Sequence, residues 1–549
     1  MKAAIDVEAA FGDMRTWTMS AIIARRARLS GTHTFLRNLP DGRTYSYEDL
    51  ERETNGLAHA FREIGIGYKD HVAVMFENCP EQVLSHFALG TLGAATVPIN
   101  TAAKGQLLSY YLQHADCTSV IISESLIEEL LRVAPTLPLL KHVIVLGDTT
   151  VARDRLRALP VSVHAFPTRC ASDSPFESPA RFSDLAYLLY TSGTTGPSKA
   201  IMITHACAHF WGEQAIRYRH VRPDDVDYVY LPLFHANALL LGVTTALIAG
   251  TTVALQRRFS ASRFWDDVRM AGATRFSSIG AVGSFLYGQP PSPSDRDHKV
   301  RFCTLAPPPP FVRDFEKRFG IKVLTGYALS DYCAATWCPP DAPPDKIFSA
   351  GVPRDSVRVR VVDDDDFDVP AGTPGEILLR IEQPWATPLG YYKMPEATIA
   401  SYLNGWFHTG DRGYFDQEGY LHFTDRKKDA IRRRGENISA YEVETIILGL
   451  PAVRQVAVYP LRSEFTEDEV AASVILHEGQ TLTPEALIAH CARNMSGFMV
   501  PRFVEFVDEL PLTLTNKVEK YKLKQRAEED PTRLWDRDKA PSSNPPRRR

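Results

Sequence analysis

Leu185-Ala186-Tyr187-Leu188-Leu189-Tyr190-Thr191-Ser192-Gly193-Thr194-Thr195-Gly196-Pro197-Ser198-Lys199 is an apolar run that passes into a loop of hydroxyls and glycines and ends on a lysine. Leu185 to Leu189 reads as a buried strand. Gly193 and Gly196 let the backbone turn tightly and come close to a ligand. Thr191, Ser192, Thr194, Thr195 and Ser198 supply hydroxyls, with bare backbone N–H groups between them, and Lys199 adds a point charge. A polyphosphate needs those groups. The stretch is not a Walker A loop, because Lys-Ser or Lys-Thr does not directly follow the second glycine.

Outward from this loop, strand and helix patterns alternate. Tyr47 to Phe61 carries Leu50, Leu57, Ala58 and Phe61 at helical spacing, with Ser46 as N-cap and Gly65 as stop. His71 to Met75, Ala95 to Ile99, Ser119 to Ile122 and His142 to Leu146 read as strands, and Glu81 to Leu92 as a helix. Alternation of this kind predicts an α/β fold with largely parallel sheets covered on both faces. The chain has 549 residues, 44% of them hydrophobic, enough for several domains with packed cores. A net charge of −4 argues against a nucleic-acid binder held by a global positive field. The eight cysteines are scattered and read as buried thiols. Met1 to Ala10 is no secretory signal, and Leu231 to Leu255, the most apolar window, is interrupted by Pro232, His235, Gly242 and Gly250. The expectation is a cytoplasmic protein with no integral membrane segment.

The loop resembles the phosphate-binding motif of the adenylate-forming superfamily, which holds acyl-CoA synthetases, peptide-synthetase adenylation domains and luciferases. Further motifs follow in that family's order, roughly from Tyr47 to Leu523. Ala200 stands where the family usually has glycine. Leu231 to Ala238 resembles the motif beside the acyl group, so His235 and Ala236 are implied substrate contacts. No carboxylate stands nearby to take an ammonium, which favours an acid without an α-amino group. Ser277 to Tyr287 resembles the stretch lining the acyl tunnel, with Gly280 and Gly283 either leaving room for substrate or allowing close helix packing. Cys303 to Pro308 falls where relatives bind adenine and matches poorly. Gly326-Tyr327-Ala328-Leu329-Ser330-Asp331 resembles the Tyr-Gly-x-Thr-Glu motif. By that likeness Tyr327 stacks on adenine, Ala328 lies by the substrate, Ser330 meets the α-phosphate and Asp331 binds Mg²⁺. Gly405 to Asp411 is close to the family form, and Asp411 is implied to hold the ribose hydroxyls.

The resemblance implies a large N-terminal adenylation domain, residues 1–425, and a small mobile α+β C-terminal domain, residues 426–530. From Pro531 the polar, proline-containing chain, 531–549, reads as a disordered tail. Arg426 is implied to contact ribose and Lys428 to be the hinge. The basic run Arg432, Arg433 and Arg434 suits a polyanion. Arg434, Gly435 and Glu436 are the implied coenzyme A contacts, while Ser439 and Glu442 form a capping-box pattern. Val453 to Leu461 and Ala471 to His477 read as strands, and Thr483-Pro484 opens a helix to about Arg493. Lys517, in Leu512-Thr513-Leu514-Thr515-Asn516-Lys517, matches the lysine that reaches into the active site.

The implied cofactors are ATP, Mg²⁺ and coenzyme A as co-substrate, and the implied partner is a small-molecule carboxylic acid. Lys517, Lys199 and His235 are the implied catalytic residues. The segment from Arg432 to Glu444 looks most like the carnitine/crotonobetaine-CoA-ligase-like branch, which implies an AMP-forming acid:CoA ligase. A carrier-protein-loading adenylation enzyme and a degenerate nucleotide binder are the alternatives. The sequence leaves chain length of the acid and a homodimer open.

Overall fold

The structure, a computed structural model, describes residues 5, 11–168, 172, 174–191, 198–426, 431–433, 436–438, 440–462, 468–495, 497, 499–513 and 518–539. These fall into two compact units. One runs to Thr191 and adds Ser198–Arg358 and Arg380–Phe407; the other comprises Val359–Leu379 and the chain from His408.

The first unit holds two seven-stranded sheets. In one, the order is Ser162–Ala165, His142–Leu146, Ser119–Ser123, His71–Met75, Ala95–Pro98, Leu185–Thr191 and Lys199–Thr204. All neighbours are parallel except the last pair, Leu185–Thr191 with Lys199–Thr204. The strands expected at His71, Ala95, Ser119 and His142 are all present. Helix Pro80–Leu92 is buried along its length apart from Glu81, as a helix between packed layers must be. Helix Tyr47–Ile64 starts on Ser46, whose hydroxyl accepts from Asp49 N while Asp49 accepts from Ser46 N, and it ends on Gly65 at φ 110°.

The other sheet runs Lys322–Leu324, Phe302–Ala306, Arg275–Ile279, Val226–Val229, Thr252–Leu255, Thr34–Asn38 and Thr44–Ser46. It is parallel up to Thr34–Asn38, which forms an antiparallel hairpin with Thr44–Ser46. The apolar window after Leu231 folds into helix and strand. Its first helical stretch, Asn237–Thr244, is a π-helix, followed by an α-helix Thr245–Ala249.

The second unit ends in an antiparallel-and-parallel sheet of Val453–Arg462, Asp468–Leu476, Phe503–Phe506 and Trp535–Asp536. Helices Ala440–Leu448, Pro484–Asn494 and Lys520–Glu529 accompany it. The Thr483 hydroxyl caps Pro484–Asn494, as read. The tail reading is corrected for residues 531–539. Trp535–Asp536 pairs with Phe503 and Val504, and Arg502 holds Asp536 at 3.1 Å. One aromatic and a cluster of ion pairs, Arg502 with Asp536 and Asp538 among them, order a stretch whose composition is otherwise polar. Residues 540–549 lie outside the described residues.

Candidate functional site

In the sheet that begins at Lys322–Leu324, three of four neighbouring parallel strands carry predicted site residues just beyond their carboxyl ends, and the fourth carries the segment that matches the adenine-binding motif poorly. His235 and Ala236 follow Val226–Val229, Gly280 follows Arg275–Ile279, Pro307 follows Phe302–Ala306, and Tyr327 follows Lys322–Leu324. Crevices at strand carboxyl ends are where open α/β sheets bind ligands.

The phosphate loop leaves the other sheet by the same rule. Its residues Ser192, Gly193, Thr194, Thr195 and Gly196 lie outside the described residues, but both stems are fixed. Thr191 and Lys199 are antiparallel register partners. The Tyr110 hydroxyl donates to the Ser198 carbonyl at 2.8 Å, and the Tyr111 and Ser198 hydroxyls are 3.2 Å apart. Ala200 is fully buried in a strand with no positive φ, so the methyl group it carries in place of the family's hydrogen meets no backbone strain.

Lys199 and Asp331 meet through a residue the sequence reading missed. The Lys199 ammonium lies 4.3 Å from the centre of the Tyr391 ring. The Tyr391 hydroxyl donates to Asp331 Oδ1 at 2.9 Å. Burial, and then the Asp331 charge, push that hydroxyl's pKa above its ordinary value. Tyr391 is placed by a bridge to Ile201 and by Met202 N donating to Gly390 O at 2.9 Å. Pairing between such distant segments leaves no local pattern. Beside it, Asp116 takes the Tyr392 hydroxyl at 2.8 Å and the Lys393 ammonium at 2.6 Å.

Ser330 and Ala328 are exposed, Asp331 is half-buried, and Tyr327 keeps 7% of its surface exposed. His235 is half-buried, its ring 4.6 Å from that of Phe234, and Leu239 N donates to its carbonyl at the start of the π-helix. Gly283 answers one open alternative. A Cβ there would stand 3.0 Å from Leu305 Cδ2, so its missing side chain allows close packing of helix Gly280–Tyr287 on its sheet. At Gly280 a Cβ would stand 3.3 Å from the Pro307 carbonyl.

In the second unit, Asp411 and Arg426 are register partners on adjacent antiparallel strands. Asp411 is 4% exposed and its N–H is taken by the Thr409 hydroxyl at 3.0 Å. Gly410, at φ 69°, turns its N–H to Glu376 at 3.1 Å. Arg433 leaves the expected basic strip. It is buried and paired with Glu469 at 2.7 Å, because it stands two residues after buried Ile431 on one strand face. Lys428, Arg434, Gly435, Ser439 and Lys517 lie outside the described residues, and Glu436 is placed only as part of strand Glu436–Ile438.

The AMP-binding enzyme model matches residues 23–392, and the model of the AMP-binding enzyme C-terminal domain matches 442–517. The chain belongs to the AMP-binding enzyme family. Among curated members, it is 32% identical over 491 residues to crotonobetaine/carnitine–CoA ligase of Salmonella agona (strain SL483), covering 88% of this chain and 93% of that one. The corresponding protein of Citrobacter koseri (strain ATCC BAA-895 / CDC 4225-83 / SGSC4696) is 33% identical over 496 residues, at the same coverages. Among solved structures, ATP-bound MatB from Rhodopseudomonas palustris superposes with a TM-score of 0.81 at 26% identity, covering 93% of this chain and 99% of that one. For this AMP-binding enzyme the adenylate-forming fold expected from the loop motif is therefore the fold observed.

Proposed function

We infer that this chain is an ATP-dependent carboxylic acid:CoA ligase of the AMP-forming type. The observation that carries the reading is the Lys199–Tyr391–Asp331 chain, in which the lysine closing a phosphate loop and a carboxylate suited to a metal share one tyrosine. In the first half-reaction the substrate carboxylate attacks the α-phosphate of ATP and pyrophosphate leaves. Such chemistry needs positioning and charge neutralisation more than bond-making groups. Lys199 and the loop before it hold the β- and γ-phosphates, Ser330 meets the α-phosphate, Tyr327 the adenine, and Asp411 with Arg426 the ribose. Lys517 reaches the charge developing between carboxylate and phosphate. In the second half-reaction the CoA thiol attacks the acyl carbonyl of the mixed anhydride and AMP leaves. Lys428 is the hinge that withdraws Lys517, and Arg434, Gly435 and Glu436 face coenzyme A.

Asp331 fits Mg²⁺. It offers one half-buried carboxylate oriented by Tyr391, and Mg²⁺ is often held by one or two carboxylates together with phosphate oxygens and water. Bound there, the ion would neutralise phosphate charge. The seven described cysteines are free, which supports a reducing, cytoplasmic setting. The crotonobetaine and carnitine chemistry in the curated relatives' names is not carried over to the acid.

The test follows pyrophosphate and AMP separately in purified protein given ATP, Mg²⁺ and a panel of acids, with and without CoA. An acyl-CoA product with stoichiometric AMP is expected. Pyrophosphate without thioester would move the acceptor to a carrier protein. ATP binding with no turnover across the panel would leave a nucleotide binder.

A further inference from the structure

The π-helix Asn237–Thr244, which begins beside His235 and Ala236, lies on strands Val226–Val229 and Arg275–Ile279. The crevice between them, lined by Asp227, Asn237, Gly242 and Ser277 among others, has a volume of about 10 Å³ for the centre of a water molecule. That is room for about one water. A Cβ on Gly242 would stand 3.3 Å from Val229 Cγ2, so the helix is seated as close as a glycine allows.

Two of the lining residues, Asp227 and Ser277, belong to a buried charged network beside the crevice. Arg219, whose side chain is 1% exposed, extends under the π-helix. Its guanidinium donates to Ser277 Oγ at 2.6 Å, to Thr304 Oγ1 at 3.2 Å and to the carbonyl of Leu241 on the π-helix itself. Asp227 stands 3.7 Å from Arg219 and 3.6 Å from Arg275. Asp225 in turn holds Arg275 at 3.6 Å and Arg301 at 2.5 Å. Ser277 and Thr304 are register partners on adjacent strands, so one arginine ties both strands to the helix above them. The segment around Cys303 that departs from its relatives supplies one of these partners.

We propose that Arg219 and its partners are the stop of the acyl pocket, and that this ligase takes short carboxylic acids. The proposal rests on the ligase reading above. An alkyl chain directed past His235 between sheet and helix would have to part a buried ionic network, and breaking a buried pair is strongly unfavourable. An open tunnel would do the reverse and reward each added methylene.

The test is calorimetric binding of the full chain to three non-hydrolysable adenylate analogues, 5′-O-(N-acylsulfamoyl)adenosines bearing butanoyl, octanoyl or dodecanoyl groups. The butanoyl compound is expected to bind tightest, with the octanoyl compound weaker by about ten-fold or more. An open tunnel would instead make octanoyl tighter by roughly two orders of magnitude. Octanoyl or dodecanoyl binding as tight as butanoyl overturns the proposal and leaves the ligase reading standing. Binding of none of the three removes the ligase reading and the proposal with it. Arg219→Met, checked by thermal unfolding, is expected to shift the octanoyl-to-butanoyl ratio toward octanoyl by about ten-fold. Thr304→Ala, which keeps the buried charge, should move the ratio the same way by less. If Arg219→Met does not fold, the wild-type series and Thr304→Ala decide.

Discussion

Tyr391 joins Lys199 to Asp331, the two residues proposed to hold the phosphates and the metal. Tyr391→Phe keeps the ring under Lys199 and removes the hydrogen bond to Asp331. A bond to a charged acceptor is worth about 1.5 kcal/mol or more, so kcat/KM for ATP should fall about ten-fold with little change in thermal unfolding. A magnesium titration of the variant should show a higher requirement than wild type, and an unchanged one would place Asp331 outside the metal site. Ala200 makes the opposite case. It departs from its relatives, yet it lies buried in an extended strand. Ala200→Gly should therefore leave the KM for ATP unchanged and cost roughly 0.5–1 kcal/mol in a denaturant melt. Tyr391 was not legible because the segment it bridges to is distant in sequence, whereas Lys199 was legible because loop chemistry is local. Arg219 was not singled out in the sequence. An arginine ending a helix ordinarily reads as solvated, and only the fold shows it turned inward.

At the scale of elements, the sequence announced the strands at His71, Ala95, Ser119, His142, Leu185, Val453 and Ala471, the Ser46 cap and the Gly65 stop, because each rests on neighbouring residues. Site elements were legible for the same reason, since a turn after a buried parallel strand is where a ligand crevice opens. The π-helix was not. Its apolar run, Ala238 to Val243, is compatible with any buried helix. Gly283 belongs to this scale. Gly283→Ala should cost about 1 kcal/mol or more in urea unfolding, because the new methyl group presses on Leu305. A variant of wild-type stability with altered acid preference would make Gly283 a pocket residue instead. Arg433 shows a reading that failed on periodicity: three consecutive arginines look like one charged surface, but strand alternation turns every second residue to the other face.

At the scale of the whole molecule, the first unit holds a store of acid sensitivity. His86 and His209 are fully buried with pKa values lowered to about 3, and His205 is lowered to about 4, all by desolvation. His209 is stacked on Trp17 at 4.1 Å. In the unfolded chain each titrates near 6.5, so below that pH the unfolded state binds more protons and stability falls as pH falls. At pH 5 the loss is about 2 kcal/mol per histidine, roughly 6 in all, against a total stability that is commonly 5–15 kcal/mol. Urea midpoints should drop steeply between pH 7 and pH 5, and His209→Phe should make the drop shallower. A midpoint independent of pH in that window would contradict the burial of these rings. The two half-reactions separate at this scale as well. Lys517→Ala should abolish pyrophosphate release while sparing thioester formation from chemically made acyl-adenylate. Equal loss of both would remove the assigned division of labour.

The short strand Trp535–Asp536 has a practical meaning. It covers the flank of Phe503–Phe506, whose backbone donors and acceptors would otherwise lie open as a template for another chain. A protein trimmed at Asp530, as its composition invites, would carry an uncovered strand flank in every molecule. It should self-associate on concentration, by light scattering, while the untrimmed chain stays dispersed.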